Sequence, residues 1–314
     1  MMQTIDLSYP HQLINEQLPE TVCAIGFFDG VHLGHQKVIK TAVKYAKEHH
    51  LESAVITFQP HPITVLSHGA QSVKYITPSL EKQRILKQLG VDRLYTITFN
   101  KQLASLLPQQ FIEHFIIGLN IKHLVAGFDF TYGFKGEGNM TNIAKYAKDQ
   151  LTYTVIEKVS CKDDKISSTH IRKLIKTGNI CLANQLLGRP LYTIGHVIEG
   201  NKRGRTIGFP TANLHVNKDA LLPQTGVYAV KAYVNDKIYD GMANLGYRPT
   251  FEKDQLEPLL EVHLLDFSKN IYKYEMSIEW HKFVREEKKF SSVDELIRQL
   301  KADKMFVRNF FQND

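Results

Sequence analysis

Residues 26–35 read Gly26-Phe27-Phe28-Asp29-Gly30-Val31-His32-Leu33-Gly34-His35, and this stretch decides the reading of the first half of the chain. It follows the apolar run Thr21-Val22-Cys23-Ala24-Ile25, which has the pattern of a buried strand. It leads into Gln36-Lys37-Val38-Ile39-Lys40-Thr41-Ala42, which has the pattern of a helix. Strand, glycine-rich turn and helix together set phosphate groups on a helix N-terminus, where unpaired N–H groups and the helix dipole favour negative charge. Gly30 and Gly34 let the backbone approach closely. His32 and His35, three residues apart, fall on one helical face and can both donate hydrogen bonds to phosphate oxygens. This is equipment for nucleotidyl transfer, in which an acceptor oxygen attacks the α-phosphorus of a nucleoside triphosphate and pyrophosphate leaves. The protein's part there is to position the reactants and stabilise spread negative charge, with no covalent intermediate.

Working outward, short apolar runs alternate with helical patterns. Ser53–Phe58, Arg93–Phe99, His123–Gly127 and Thr152–Glu157 read as strands. Between them lie helices from Ser79 to Leu89, stopped by Gly90, and from Pro108 to Ile117, ending at Gly118. This alternation implies a mostly parallel sheet with helices on both faces, and ligands beyond the C-terminal strand ends. Both Gly26–His35 and Gly127-Phe128-Asp129-Phe130-Thr131-Tyr132-Gly133 sit at such ends. A further element, Lys165-Ile166-Ser167-Ser168-Thr169-His170-Ile171-Arg172, pairs a helix cap (Ser168, Thr169) with an arginine one turn later that can reach phosphate oxygens.

The pattern changes after about residue 186, at Leu187-Gly188-Arg189-Pro190. Leu191–Ile198, Val227–Val234, Lys237–Asn244, Leu259–Phe267 and Tyr274–Val284 are β-type, with Asn235-Asp236 as a hairpin turn. Successive strands with few helices suggest an antiparallel barrel. One amphipathic helix closes the chain: Ser292 and Glu295 fit a capping box, and Leu296, Leu300, Phe306 and Phe310 are placed to face inward. The predicted domains are therefore 1–185 and 186–314. Between the first two strands of the second lies Gly200-Asn201-Lys202-Arg203-Gly204-Arg205-Thr206-Ile207-Gly208-Phe209-Pro210-Thr211-Ala212-Asn213. Its glycines make a pliable loop, and Lys202, Arg203 and Arg205 a cationic one, suited to fold over phosphates. Thr211 and Asn213 share strand parity and offer oxygen atoms suited to Mg²⁺.

Bulk properties agree with a globular protein: 314 residues, 43% hydrophobic and 23% charged. The net charge of +7 is spread, with 20 basic against 15 acidic residues in 1–185 and 19 against 17 after that. No run of five basic residues marks a nucleic-acid patch. Three cysteines without metal spacing argue against a disulfide framework. Neither a signal peptide nor a membrane-spanning stretch is read, so the expected compartment is the cytoplasm.

Taken together, Gly26–His35, Phe58-Gln59-Pro60-His61-Pro62, Gly127–Gly133 and Ile166–Arg172 resemble the adenylyltransferase module of prokaryotic bifunctional riboflavin kinase/FAD synthetases. The second half resembles the riboflavin kinase module through Pro210-Thr211-Ala212-Asn213, Thr225–Val230, Asn244–Thr250 and Leu260–Phe267. The resemblance implies a Rossmann-like nucleotidylyltransferase domain followed by an antiparallel β-barrel kinase domain with a C-terminal helix. It implies that riboflavin is phosphorylated to FMN and FMN is adenylylated to FAD, with ATP and Mg²⁺ at each of two separate sites.

For the first site it implies phosphate binding by His32 and His35, with Gly26, Phe28, Asp29, Gly34, Ser168, Thr169 and Arg172 beside them. Asp129 would lie near the nucleotide or metal, and Phe58, Pro60 and His61 would hold the flavin, although Gln59 stands where the family often has an acidic residue. For the second it implies Glu261 as the base on the terminal ribityl hydroxyl. Lys202, Gly204, Arg205 and Thr206 would lie on ATP, Asn244 and Arg285 by the flavin, and Thr211 and Asn213 on the metal. No membrane or nucleic-acid partner is expected, and oligomeric state is not readable. The His-Leu-Gly-His core also fits transferases for pantetheine or nicotinamide precursors and resembles an aminoacyl-tRNA synthetase signature. A non-enzymatic flavin- or RNA-binding regulator is the reading from another class.

Overall fold

The computed structural model describes residues 2–67, 73–161, 164–200, 203–235, 237–249 and 256–313. The chain divides into two compact units, Met1–Ser167 and Ser168–Asp314.

The first unit is built on six parallel strands: β1 (Gln3–Leu7), β2 (Thr21–Ile25), β3 (Glu52–Gln59), β4 (Arg93–Thr98), β5 (Ile121–Gly127) and β6 (Thr152–Ile156). Their order is β1-β4-β3-β2-β5-β6. Strand parity sorts the core onto two faces. Cys23, Ile25, Ile56, Tyr95, Leu124 and Ala126 pack under Phe111, Phe115 and Ile116. Val22, Ala24, Val55, Leu94 and Val125 pack under Ile39, Ala42 and Leu86. The second group belongs to α1 (Leu33–Glu48) and α2 (Ser79–Gln88). Gly90, at φ +84, closes α2 in the left-handed conformation that glycine tolerates. The segment read as one helix from Pro108 begins as α3 (Pro108–Phe111) and continues as a π-helix over Ile112–Ile117. Gly118 follows it at φ −62 and is not a left-handed cap. Strand order reverses between β2 and β5, so the turns after these two strands flank the crevice where open α/β sheets bind ligands.

The second unit opens with α4 (Ser168–Lys176) and α5 (Ile180–Leu187). A closed antiparallel barrel follows: β7 (Leu191–Ile198), β8 (Ala212–Val216), β9 (Gly226–Val234), β10 (Lys237–Pro249), β11 (Leu256–Leu264) and β12 (Glu275–Arg285). They run β7-β8-β11-β10-β9-β12 around the barrel. The short strand β8 is absent from the β-type runs read in the sequence, because the glycines and charges before it mask its five residues. Trp280 is fully buried, and its indole N–H donates to Thr193 Oγ1 at 2.8 Å.

The closing helix α6 (Val293–Gln312) departs from expectation in two ways. Ser292 Oγ accepts the Glu295 N–H at 3.2 Å, but the Glu295 carboxylate reaches Ser291 N–H at 2.9 Å rather than Ser292, so the reciprocal half of the capping box shifts by one residue. Phe306 is exposed; Val307 takes the inward position with Leu300 and Phe310, as the helical period demands.

Two candidate active sites

The turn after β2 is held in an unusual backbone. Gly30 lies at φ +88, and Phe28 and Val31 also adopt positive φ, at +48 and +39. A β-branched residue there is sterically costly, and such strain persists where surrounding structure enforces it. Buried Asp29 supplies part of that enforcement: its carboxylate Oδ1 accepts the backbone N–H groups of Ile76 (3.0 Å) and Thr77 (3.3 Å). Phe28, 2% exposed, points into the core and meets the His35 ring edge-on at 5.3 Å.

His32 is the N-cap of α1 rather than part of it; its Nδ1 accepts the His35 backbone N–H at 3.2 Å, which places the ring proton on Nε2. The two imidazoles stack with centroids 3.5 Å apart. A Cβ on Gly34 would come within 3.2 Å of the His32 ring, so the glycine gives the stack its room. Burial, then the His32 and Lys82 charges, hold His35 well below the usual imidazole range, and the ring is neutral at pH 7. Its inaccessible Nδ1 has no hydrogen-bond partner among the described residues. On the neighbouring strand end, Asp129 is exposed, with Oδ1 close over Gly127.

Beside this turn opens a cavity of about 680 Å³, lined by Phe27, Phe58, Phe99, Phe111 and Tyr132 among others. Phe27 lies 5.1 Å from Phe58 and 5.2 Å from His61, ring to ring. His61 also caps the short helix Pro62–Leu66 through Nδ1, accepting the Ile63 N–H, and the Gln59–Pro60 peptide is cis. The flat aromatic walls suit a large planar ring. Of the residues named for the flavin, Phe58 lines this cavity and Pro60 and His61 stand on the loop beside it. Phe27, Phe99, Phe111 and Tyr132 were not singled out, although Phe27 and Tyr132 lie within the quoted motifs. Ser168, Thr169 and Arg172 lie on the first turns of α4, which belongs to the second compact unit.

In the barrel the ladder does the assembling. Asn213 on β8 pairs with Glu261 on β11, which pairs with Asn244 on β10, which pairs with Val227 on β9, which pairs with Arg285 on β12. One belt of residues thus runs around the wall. With Thr211, Gly204 and His263 it lines a cavity of about 400 Å³, closed on another side by Leu296 and Leu300 of α6. Arg285 is tied into α6: Nη2 donates to Asp303 at 2.7 Å and Nε to both carboxylate oxygens at 3.0 Å, with Asp303 only 2% exposed.

A second cavity, about 700 Å³, adjoins the barrel and is lined by Arg205, Pro210, Thr211, Ala212, Phe267 and Tyr272 among others. Thr211 lines both. The segment expected to be a pliable loop forms a helical turn over Arg203–Thr206, closed by Phe209 N–H donating to the Gly204 carbonyl at 2.8 Å. Lys202 lies outside the described residues, and Thr206 is on that turn.

Asn213 is 7% exposed and lies against Gly200, where any Cβ would collide with its amide. That cradle, with the Thr211 hydroxyl two residues before, offers hard oxygen donors that fit a magnesium ion sharing its shell with phosphate and water. Groups of three or more His, Cys, Asp or Glu that could hold a metal are absent among the described residues. His263, missed in the sequence, is 6% exposed, and its Nδ1–H donates to the Pro210 carbonyl at 2.8 Å. Burial, opposed by that bond, keeps the ring below its ordinary pKa.

Comparison with known proteins agrees with both halves. A family model described as FAD synthetase matches residues 14–170, and one described as riboflavin kinase matches residues 187–311. The chain is 48% identical to the bifunctional riboflavin kinase/FMN adenylyltransferase of Bacillus subtilis over 99% of each protein. It is 49% identical to the protein of that description from Listeria monocytogenes, covering 99% of this chain and 98% of the relative. A crystal structure from Streptococcus pneumoniae, described as a macrolide-efflux protein, superposes with a TM-score of 0.89 at 36% identity, covering 98% of this chain and 99% of that one. The efflux description is that protein's own; among the described residues of the present chain, no helix is long and apolar enough to cross a membrane. With two matched modules and full-length relatives of one description, the chain belongs to the bifunctional riboflavin kinase/FMN adenylyltransferase family.

Proposed function

We propose that the barrel transfers the γ-phosphoryl group of ATP to riboflavin and that the parallel-sheet unit transfers AMP from a second ATP to the resulting FMN, giving FAD and pyrophosphate. The observation that carries the first step is the belt Asn213–Glu261–Asn244 in one cavity beside Thr211. In this reading the flavin ring occupies the cavity walled by α6, and ATP occupies the adjoining cavity with Arg205. The terminal ribityl hydroxyl then meets the γ-phosphate near Thr211. Glu261 accepts the hydroxyl proton as the oxygen attacks, because a neutral alcohol is a poor nucleophile near pH 7. Thr211 and Asn213 would hold Mg²⁺, which supplies charge neutralisation on the phosphates. Arg285, fixed by Asp303, keeps the mouth of the flavin cavity in place.

In the other unit the aromatic cavity takes the isoalloxazine ring, and the His32–His35 pair receives the triphosphate. His32, its Nδ1 occupied by the His35 N–H, donates from Nε2–H to a phosphate oxygen. The FMN phosphate attacks the α-phosphorus, and the bond to the pyrophosphate oxygen breaks. Asp129, exposed on the neighbouring strand end, is assigned to the nucleotide or its metal, and Ser168, Thr169 and Arg172 on α4 are assigned to phosphate binding. ATP and Mg²⁺ are taken at each site, and the reactions belong in the cytoplasm.

The test is to incubate the purified chain with riboflavin, ATP and Mg²⁺ and to resolve FMN and FAD by chromatography. FMN should appear first and FAD after it. ATP consumption with a pantetheine or nicotinamide precursor in place of flavin would reject this acceptor assignment.

A further inference from the structure

Lys82 is a cation in an unusual place. It sits on α2, is 8% exposed, and its Nζ donates to the Phe27 carbonyl at 2.9 Å and to Thr57 Oγ1 at 3.1 Å. Both acceptors are neutral. Asp29 is near enough to favour the charge, and its Oδ1 also accepts the Ile76 and Thr77 amides. A buried ammonium held mainly by neutral acceptors is costly, so its neighbourhood matters.

That neighbourhood is the junction of the first site. Phe27, whose carbonyl Lys82 holds, lines the aromatic cavity, as does Phe58, the residue after Thr57. Toward α1 the Lys82 charge is felt at His35, which stacks on His32. Lys82 therefore ties the ends of β2 and β3 together where the ring-binding cavity gives way to the histidine pair, which is where an anion joined to a planar ring would lie.

We propose that Lys82 is a positioning residue for FMN adenylylation, fixing the Phe27 carbonyl where the ring-binding cavity gives way to the histidine pair that receives the phosphates. This rests on the assignment of the aromatic cavity and the histidine pair to FMN and ATP given above.

The experiment uses the full chain with Lys82→Met, Lys82→Gln and His35→Ala. Steady-state FMN adenylylation is measured with FMN varied, and riboflavin phosphorylation serves as the fold control. The expected result is a KM for FMN raised about tenfold or more in both Lys82 variants, with KM for ATP and the kinase rate unchanged. Adenylylation by the parent chain is expected to decline above pH 8, and that decline should flatten in both variants. An unchanged KM for FMN in Lys82→Met or Lys82→Gln, or a decline with pH that survives in both, overturns the proposal. Loss of activity in His35→Ala alongside an unchanged Lys82→Met rejects only Lys82. Full activity in His35→Ala rejects the site assignment itself.

Discussion

Burial of Lys82 makes a quantitative prediction about stability. Burial pulls its pKa from 10.5 to about 8, against the favourable charge of Asp29. A lysine whose folded pKa is depressed binds fewer protons in the folded chain than in the unfolded chain between those two values. Stability therefore rises as pH climbs through that window. A depression of that size corresponds to roughly 3 kcal/mol, most of which falls between pH 7 and pH 10. Lys82→Met lacks this contribution. Methionine keeps most of the apolar stem, and Thr57 Oγ1 still donates to the Phe27 carbonyl at 3.0 Å, so no buried donor or acceptor is orphaned.

The variant should accordingly be more stable than the parent at pH 7, and the difference between them should shrink by about 2–3 kcal/mol by pH 10, since groups common to both cancel. Urea unfolding followed by far-UV circular dichroism at several pH values measures it. Trp280, the one tryptophan, lies in the barrel, so its fluorescence should report an unchanged transition for the second unit. A difference that is constant with pH, or that widens toward pH 10, would refute the reasoning.

Four other outcomes are expected. His32→Ala with His35→Ala should abolish FAD formation and spare FMN formation; joint loss of both products speaks against separate sites. Glu261→Ala should stop riboflavin phosphorylation while supplied FMN is still adenylylated, and an undiminished kinase rate removes Glu261 as the base. Asp303→Ala strands Arg285 and should destabilise the barrel by roughly 3–5 kcal/mol, read as an earlier Trp280 transition in urea, with adenylylation intact. Because His35 is depressed, its neutral form stabilises the first unit above about pH 6.5, and that stability is lost as pH falls below it. Melting curves from pH 7 to pH 5 should show the loss, and His35→Phe should reduce it.

Much of this molecule was legible because its signals are local. Thr21–Ile25 is a strand with the bounds its apolar run suggested, and Thr211 and Asn213 line one cavity although the strand itself starts only at Ala212. Where the sequence misled, non-local packing decides. Phe306 and Val307 compete for one inward position, and only the barrel wall chooses between them. The pattern of the helix Ser79–Leu89 does not mark Lys82; its burial follows from where α2 lands on the ends of β2 and β3. The aromatic cavity draws on residues from Phe27 to Phe134 across several loops, so no short motif contains it. The belt from Asn213 to Arg285 is fixed by barrel register, which spacing along one chain does not encode.

Thr211 lines both barrel cavities and so marks where the two chambers approach each other. A single compound could therefore straddle it, a tricyclic head in one chamber joined through a short polyphosphate tether to a purine in the other. Such a bisubstrate inhibitor would gain from effective concentration at both ends. Tether length would act as a molecular ruler for how far apart the two reactants are held at the moment of transfer.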